Sequence, residues 1–126
     1  MEEHKHLPES ELDIMLVVWA AGGEIAAPAI LEELGRPLTA SALHSYLKRL
    51  EEKGFLSCRK EGRTNTYTAL VSWENYQEQE GKTVLEKLYA GSLKRFAAAL
   101  YDGGVLNRED VSELRSYLEE LEKGRL

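Results

Sequence analysis

Apolar residues recur through the first third of the chain at helical spacing. Between Pro8 and Ala21, Leu12, Met15, Leu16 and Trp19 fall at i, i+3, i+4 and i+7, which predicts an amphipathic helix ended by Gly22-Gly23. Glu24-Ile25-Ala26 is too short for a helix and reads as a minimal strand or connector. Pro28 suits the first turn of a second helix, where its missing N–H costs no hydrogen bond, and Gly35 stops that helix. After the turn Arg36-Pro37-Leu38, Thr39 is placed to cap a third helix. That helix sets Leu43, Tyr46, Leu47 and Leu50 on one face and stops at Gly54.

The period then changes. Phe55–Lys60 and Asn65–Leu70 are short runs rich in Thr, Tyr, Leu and Phe, joined by Glu61-Gly62-Arg63-Thr64, which predicts a β-hairpin. Beyond Ser72 the pattern is helical again. One helix carries Val84, Leu85, Leu88 and Tyr89 and breaks near Gly91; a second carries Leu93, Phe96, Ala97 and Leu100 and ends at Gly103-Gly104. The last has a well-marked start: Asn107 as cap, Asp110 three residues on, and Leu106 with Val111 at staple positions. Val111, Leu114, Leu118 and Leu121 then alternate spacings of three and four, a seam for a partner helix.

Helix, short strand, helix, turn, helix, hairpin is the order of a winged helix-turn-helix. The expected fold is therefore mainly α with a small β-hairpin wing. A winged helix-turn-helix over residues 1–71 is followed by helices over 72–126 that pair two chains. Leu85, Leu88, Leu93, Phe96, Val111, Leu114, Leu118 and Leu121 are the candidate dimerisation residues. In this fold the third helix enters the major groove of DNA. Opposite its core face lie Ser41, Ser45 and Lys48, with His44 and Arg49 at the edges, all able to hydrogen-bond or attract phosphate. The wing adds Arg59, Lys60 and Arg63.

Charge sharpens this picture only when divided along the chain. The whole chain of 126 residues carries −6. Residues 1–35 hold Lys5 against eight acids; residues 36–71 hold seven bases against Glu51, Glu52 and Glu61, a local excess of four positive charges. Screening confines such a field to about 8–10 Å, so an anionic partner meets the middle third. Apolar residues at 43% and charged residues at 30% are an ordinary globular balance. No apolar run reaches the ~20 residues of a membrane span, and the acidic start at Met1-Glu2-Glu3-His4 is unlike a signal peptide. A lone cysteine, Cys58, excludes an internal disulfide and fits a reducing, cytoplasmic location.

The motifs in their order resemble the penicillinase-repressor (BlaI/MecI/CopY) family. Leu7 to Trp19 is similar to that family's first helix. Leu47-Lys48-Arg49-Leu50-Glu51-Glu52-Lys53-Gly54-Phe55-Leu56 resembles the end of its recognition helix and the start of its wing. Glu61-Gly62-Arg63 with Tyr67 resembles the wing itself, and Glu113-Leu114-Arg115 with Leu118 the final helix. The resemblance implies a bacterial repressor that dimerises through its C-terminal helices, binds double-stranded operator DNA of dyad symmetry, and is relieved by proteolysis or, in a copper-responsive branch, by metal. Two departures bear on this. Relatives often open the recognition helix Ser-Pro-Lys-Thr where this chain has Thr39-Ala40-Ser41-Ala42, and the paired C-terminal cysteines of the copper-responsive branch are missing. The antibiotic-resistance members are cut at an Asn-Phe bond; the corresponding pair here is Ala99-Leu100, expected to be helical and largely buried, so release by cleavage at an Asn-Phe-type bond is not expected, and either an inducing protease reads another side chain or another signal relieves repression.

Other functions fare worse against the residues. An enzyme would need a nucleophile motif, a phosphate-cradling loop or a ligand cluster, and the sequence offers none; adjacent His44 and Ser45 point about 100° apart on a helix. A winged helix used only as a protein-interaction module would carry an apolar or acidic outer face on its third helix. A metal- or redox-responsive regulator could use His4 and His6, or Cys58 beside Arg59. Two terminal histidines without a third ligand read as a solvated tail, and Cys58 as a small packed residue. No cofactor and no metal site are expected.

Overall fold

The chain forms α1 (Glu9–Ala21), β1 (Ile25–Ala26), α2 (Ala27–Leu34), α3 (Ala40–Glu52), β2 (Leu56–Glu61), β3 (Thr64–Ala69), α4 (Trp73–Tyr89), α5 (Leu93–Asp102) and α6 (Arg108–Glu122). This computed structural model describes residues 4–124, so Met1 to Glu3 of the acidic start lie outside the described residues. The local signals act where the sequence puts them. Pro28 sits in the first turn of α2, Gly22 and Gly35 close α1 and α2 in the left-handed conformation, and Thr39 Oγ1 accepts the Ala42 N–H at 3.0 Å. Asn107 and Asp110 form the reciprocal capping box that starts α6.

β1, left open between strand and connector, is a strand: Ile25 and Ala26 pair antiparallel with Tyr67 and Thr66 of β3. β2 pairs with the other edge of β3, from Leu56 opposite Ala69 to Glu61 opposite Thr64, so the order is β1-β3-β2. The hairpin tip is then only Gly62-Arg63, tighter than the four-residue connection read from the sequence. Gly62 has φ +65 while Arg63 does not have positive φ, the glycine-first pattern of a II′ turn.

The chain divides into two compact units, Met1–Glu80 and Gly81–Leu126. In the first, Leu7, Ile14, Met15, Val18, Ile30, Leu43, Leu47, Leu50, Phe55, Leu56 and Tyr67 form one core, with Val71 and Tyr76 joining it. The unit therefore runs past Ser72 into the first turns of α4. Trp73 lies tilted at 5.2 Å from Trp19, Tyr76 packs against Trp19 and Phe55, and the Trp19 indole donates to the Val71 carbonyl. The change of period at Ser72 marks where helix resumes, eight residues before the first unit ends.

Three features of the structure differ from the sequence expectation. The core face of α1 is Glu11, Ile14, Met15 and Val18, one residue round from the face read as Leu12, Met15, Leu16 and Trp19, and Leu16 is exposed. From Leu12 to Trp19 only Asp13 is polar, so helical spacing fits more than one face and packing chooses between them. The N-terminal histidines are not a solvated tail. The Gln79 side chain bonds both the N–H and the carbonyl of His4, His6 Nδ1 lies 2.7 Å from Glu80 Oε1, and Leu7 N–H donates to the Tyr76 hydroxyl. Cys58 is exposed, because β2 runs out beyond the core after Leu56.

In the second unit, Ala90 (φ +51) and Gly91 (φ +77) end α4, and Ser92 caps α5 by accepting the Arg95 N–H. None of the residues of α5 or α6 is buried. The Ala99-Leu100 bond is helical, as expected, but Ala99 is exposed and Leu100 only half-buried. The apolar stripe of α5 is covered only in part: Phe96 lies 5.0 Å from Tyr89 of α4, and Phe96, Ala97 and Leu100 are half-buried.

Candidate nucleic-acid interface

α3 is held by three buried leucines, Leu43, Leu47 and Leu50, and by the half-buried Tyr46. With that face turned inward, helical geometry turns the opposite one outward. Ser41, His44, Ser45, Lys48 and Arg49 are all exposed. Two of them are already oriented. The Arg49 guanidinium lies 5.7 Å from the centre of the Tyr46 ring, a cation–π contact that restrains a long side chain. The Ser45 hydroxyl donates back to the Ser41 carbonyl at 3.3 Å, which leaves its lone pairs facing outward as acceptors.

Of the seven bases of the middle third, three are spent on acids from the first third. Arg36 Nη2 lies 3.7 Å from Asp13 Oδ2. Lys53 Nζ lies 2.5 Å from Oε1 of Glu11, whose side chain is only 4% exposed. Arg59 makes a two-point bond to Glu24, both contacts at 2.8 Å, and its Nη2 also reaches Glu61 at 3.0 Å. Arg59 is thus the predicted wing residue that the structure brings to a carboxylate. Among the described residues, Lys48, Arg49, Lys60 and Arg63 form no ion pair and are exposed. The free positive charge is narrower than the sequence count: two residues on α3, one near the end of β2, one at the hairpin tip.

The pairing partners Glu11 and Glu24 were not legible as such. Glu11 carried one signal, since it falls at i−3, i−4 and i−7 from Ile14, Met15 and Val18. Glu24 carried none, because it lies 35 residues from Arg59. The Arg59 guanidinium and then the Thr66 hydroxyl hold the Glu24 carboxyl below the usual range. This bond is complete above the ordinary carboxylate range and is lost as pH falls through the depressed value.

A sequence model of the penicillinase repressors matches residues 7–120, from before α1 into α6. The chain belongs to the penicillinase-repressor family. The penicillinase repressor of Bacillus licheniformis is 30% identical over 122 residues, covering 95% of this chain and 94% of that protein. The methicillin resistance regulatory protein MecI of Mammaliicoccus sciuri is 23% identical, covering 89% of this chain and 92% of that protein. Among solved structures, the DNA-binding domain of the repressor BlaI is similar with a TM-score of 0.52 at 28% identity, covering 60% of this chain and 94% of that domain. The fold of this penicillinase-repressor family member is a winged helix, mostly helical with a small three-stranded antiparallel sheet.

Among the described residues, no group of three or more His, Cys, Asp or Glu side chains is placed to hold a metal ion. His4 and His6 go to different partners, the first with its ring edge-on to Phe55. No described helix is long and apolar enough to cross a membrane.

Proposed function

We propose that this chain is a bacterial transcriptional repressor that binds a dyad-symmetric operator as a homodimer, with α3 in the major groove and the wing on the backbone. The observation that carries the reading is the outer face of α3, where five exposed polar or cationic side chains stand opposite three buried leucines. The similarity to a penicillinase repressor and to the DNA-binding domain of the repressor BlaI supports it.

Lys48, Arg49, Lys60 and Arg63 supply charge that phosphates attract, and each phosphate neutralised releases counterions. His44, Ser45 and Ser41 supply the groups that read base edges. With its proton directed to the Ser41 carbonyl, Ser45 accepts, which matches an amino group such as that of cytosine or adenine. A repressor so bound acts by occupying its site.

The seam Val111, Leu114, Leu118 and Leu121 supports pairing with a second copy, with Leu85, Leu88, Leu93 and Phe96 as further candidates. Two copies on a two-fold axis would set the recognition helices one DNA turn apart, about 34–36 Å, or a multiple of it. Relief by cutting at Ala99-Leu100 would first require α5 to open, since the Gly103 N–H bonds the Ala99 carbonyl and the Val105 N–H the Leu100 carbonyl.

The test separates charge from reading. Operator affinity is expected to fall steeply with salt. Arg63→Ala should weaken operator and unrelated DNA alike, and lower the salt slope by about one. His44→Ala or Ser45→Ala should cost the operator about 1–3 kcal/mol and leave unrelated DNA nearly unchanged. Fluorescence titrations on both DNAs measure this, and equal losses on the two for the helix variants would contradict base reading by α3.

A further inference from the structure

The side chain of Arg59 crosses the whole sheet. Arg59 lies on β2 opposite Thr66 of β3, and Thr66 in turn lies opposite Ala26 of β1. Glu24, one residue before β1, receives both ends of the Arg59 fork. The Thr66 hydroxyl sits between them, 3.1 Å from Glu24 Oε2 and 3.1 Å from the Arg59 carbonyl. Because strand side chains alternate, Arg59 and Lys60 stand on opposite faces. Lys60 shares its face with Leu56, Cys58 and Tyr67, whereas Arg59 shares the outer face with Thr64, Thr66 and Thr68.

Beyond Leu56 every residue of β2 is exposed, so the outer half of the hairpin has no core to hold it. Two strands alone are marginally stable in water. β1, only two residues long, pairs with β3 up to Thr66 and leaves the tip beyond it unsupported. A two-point arginine–carboxylate bond fixes both distance and plane, which a single lysine contact does not.

We infer that Arg59 is a positioning residue and not a phosphate ligand: with Glu24 and Thr66 it braces the wing against the strand before α2, and so sets where Lys60 and Arg63 meet DNA. The inference rests on the DNA-binding reading above for its consequence, but the brace itself exists in the free protein. It assigns Glu24, an acid in a region that should attract phosphate, a favourable part in binding.

Glu24→Gln gives the two roles opposite signs. If Arg59 is a phosphate ligand held back by Glu24, removing the acid frees it, and DNA binding tightens with a steeper salt slope. If Arg59 braces the wing, Glu24→Gln weakens operator binding by about fivefold, the upper end for an exposed pair, without steepening the slope. Arg59→Lys, which keeps the charge, should weaken operator binding in the same direction. Hydrogen exchange on the free protein reads the brace without DNA: in both variants the amides of Lys60 to Thr64 should exchange several-fold faster, while those of α3 stay unchanged. Unchanged exchange at the tip, or tighter DNA binding by Glu24→Gln, overturns the inference. A wild-type protein that binds DNA without sequence preference would instead overturn the functional reading, and the exchange rates would still decide the brace.

Discussion

Replacing both Leu114 and Leu118 by glutamate is expected to give a soluble monomer whose operator affinity falls by about 100-fold or more. The four seam residues are each about two-fifths exposed in the single chain: Val111 38%, Leu114 41%, Leu118 40% and Leu121 41%. They recur on one side of α6, and Val111, Leu114 and Leu118 line a shallow groove with Arg115, Glu119 and Glu122. Tyr101, Val105 and Tyr117 add exposed apolar surface in the same unit, which has no buried residue in α5 or α6. On the proposed function this exposed apolar surface is where a second copy of the chain docks. Two carboxylates per chain in the middle of the seam would have to lose their water without a partner, a cost several times what four apolar residues return. The affinity loss follows because one half-site tethered to another binds at a high effective concentration, worth 10²–10⁴ in avidity. Light scattering with DNA titration measures both. A wild-type monomer at micromolar concentration, or a double variant that still dimerises, would contradict the seam.

Lys53→Met is expected to destabilise the first unit by about 2–4 kcal/mol, because it strands the Glu11 carboxylate in the core. Glu11 is 3% exposed and packs on the same face of α1 as Ile14, Met15 and Val18. Lys53 caps the C-terminus of α3, so this one ion pair ties the first helix to the end of the recognition helix. Breaking such a pair from one side costs more than replacing both partners, so Glu11→Leu combined with Lys53→Met should recover most of the stability. Trp19, half-buried against the core, and Trp73, exposed 5.2 Å from it, report unfolding of this unit by fluorescence in urea. A midpoint for Lys53→Met equal to that of the wild type would show that Glu11 does not depend on it.

What could be read from the residues divides by distance along the chain. The Thr39 cap, Pro28 in the first turn of α2 and the Asn107–Asp110 box each act within three or four residues of themselves, and each stands where the sequence puts it. The outer face of α3 was legible for the same reason: three leucines at helical spacing determine which side of the helix faces water. Contacts between distant residues were not legible. Arg59 counts as a free cation until Glu24 is brought across 35 residues, and Lys53 until Glu11 is brought across 42. His4 and His6 look like a solvated tail until Gln79 and Glu80, some 75 residues on, meet them. The face of α1 failed for another reason. A helix apolar on nearly every side carries no periodicity to read, and only the elements packed around it decide.

Whether α3 reads an operator of two-fold symmetry is decided by selecting bound DNA from a random library with the purified chain. The expected product is an inverted repeat whose half-site centres lie about 10–10.5 base pairs, or a multiple, apart, bound by two copies of the chain. A variant with Ser41, His44 and Ser45 all replaced by alanine is expected no longer to enrich that repeat. Enrichment of no common sequence, or the same repeat recovered by the triple variant, would contradict it.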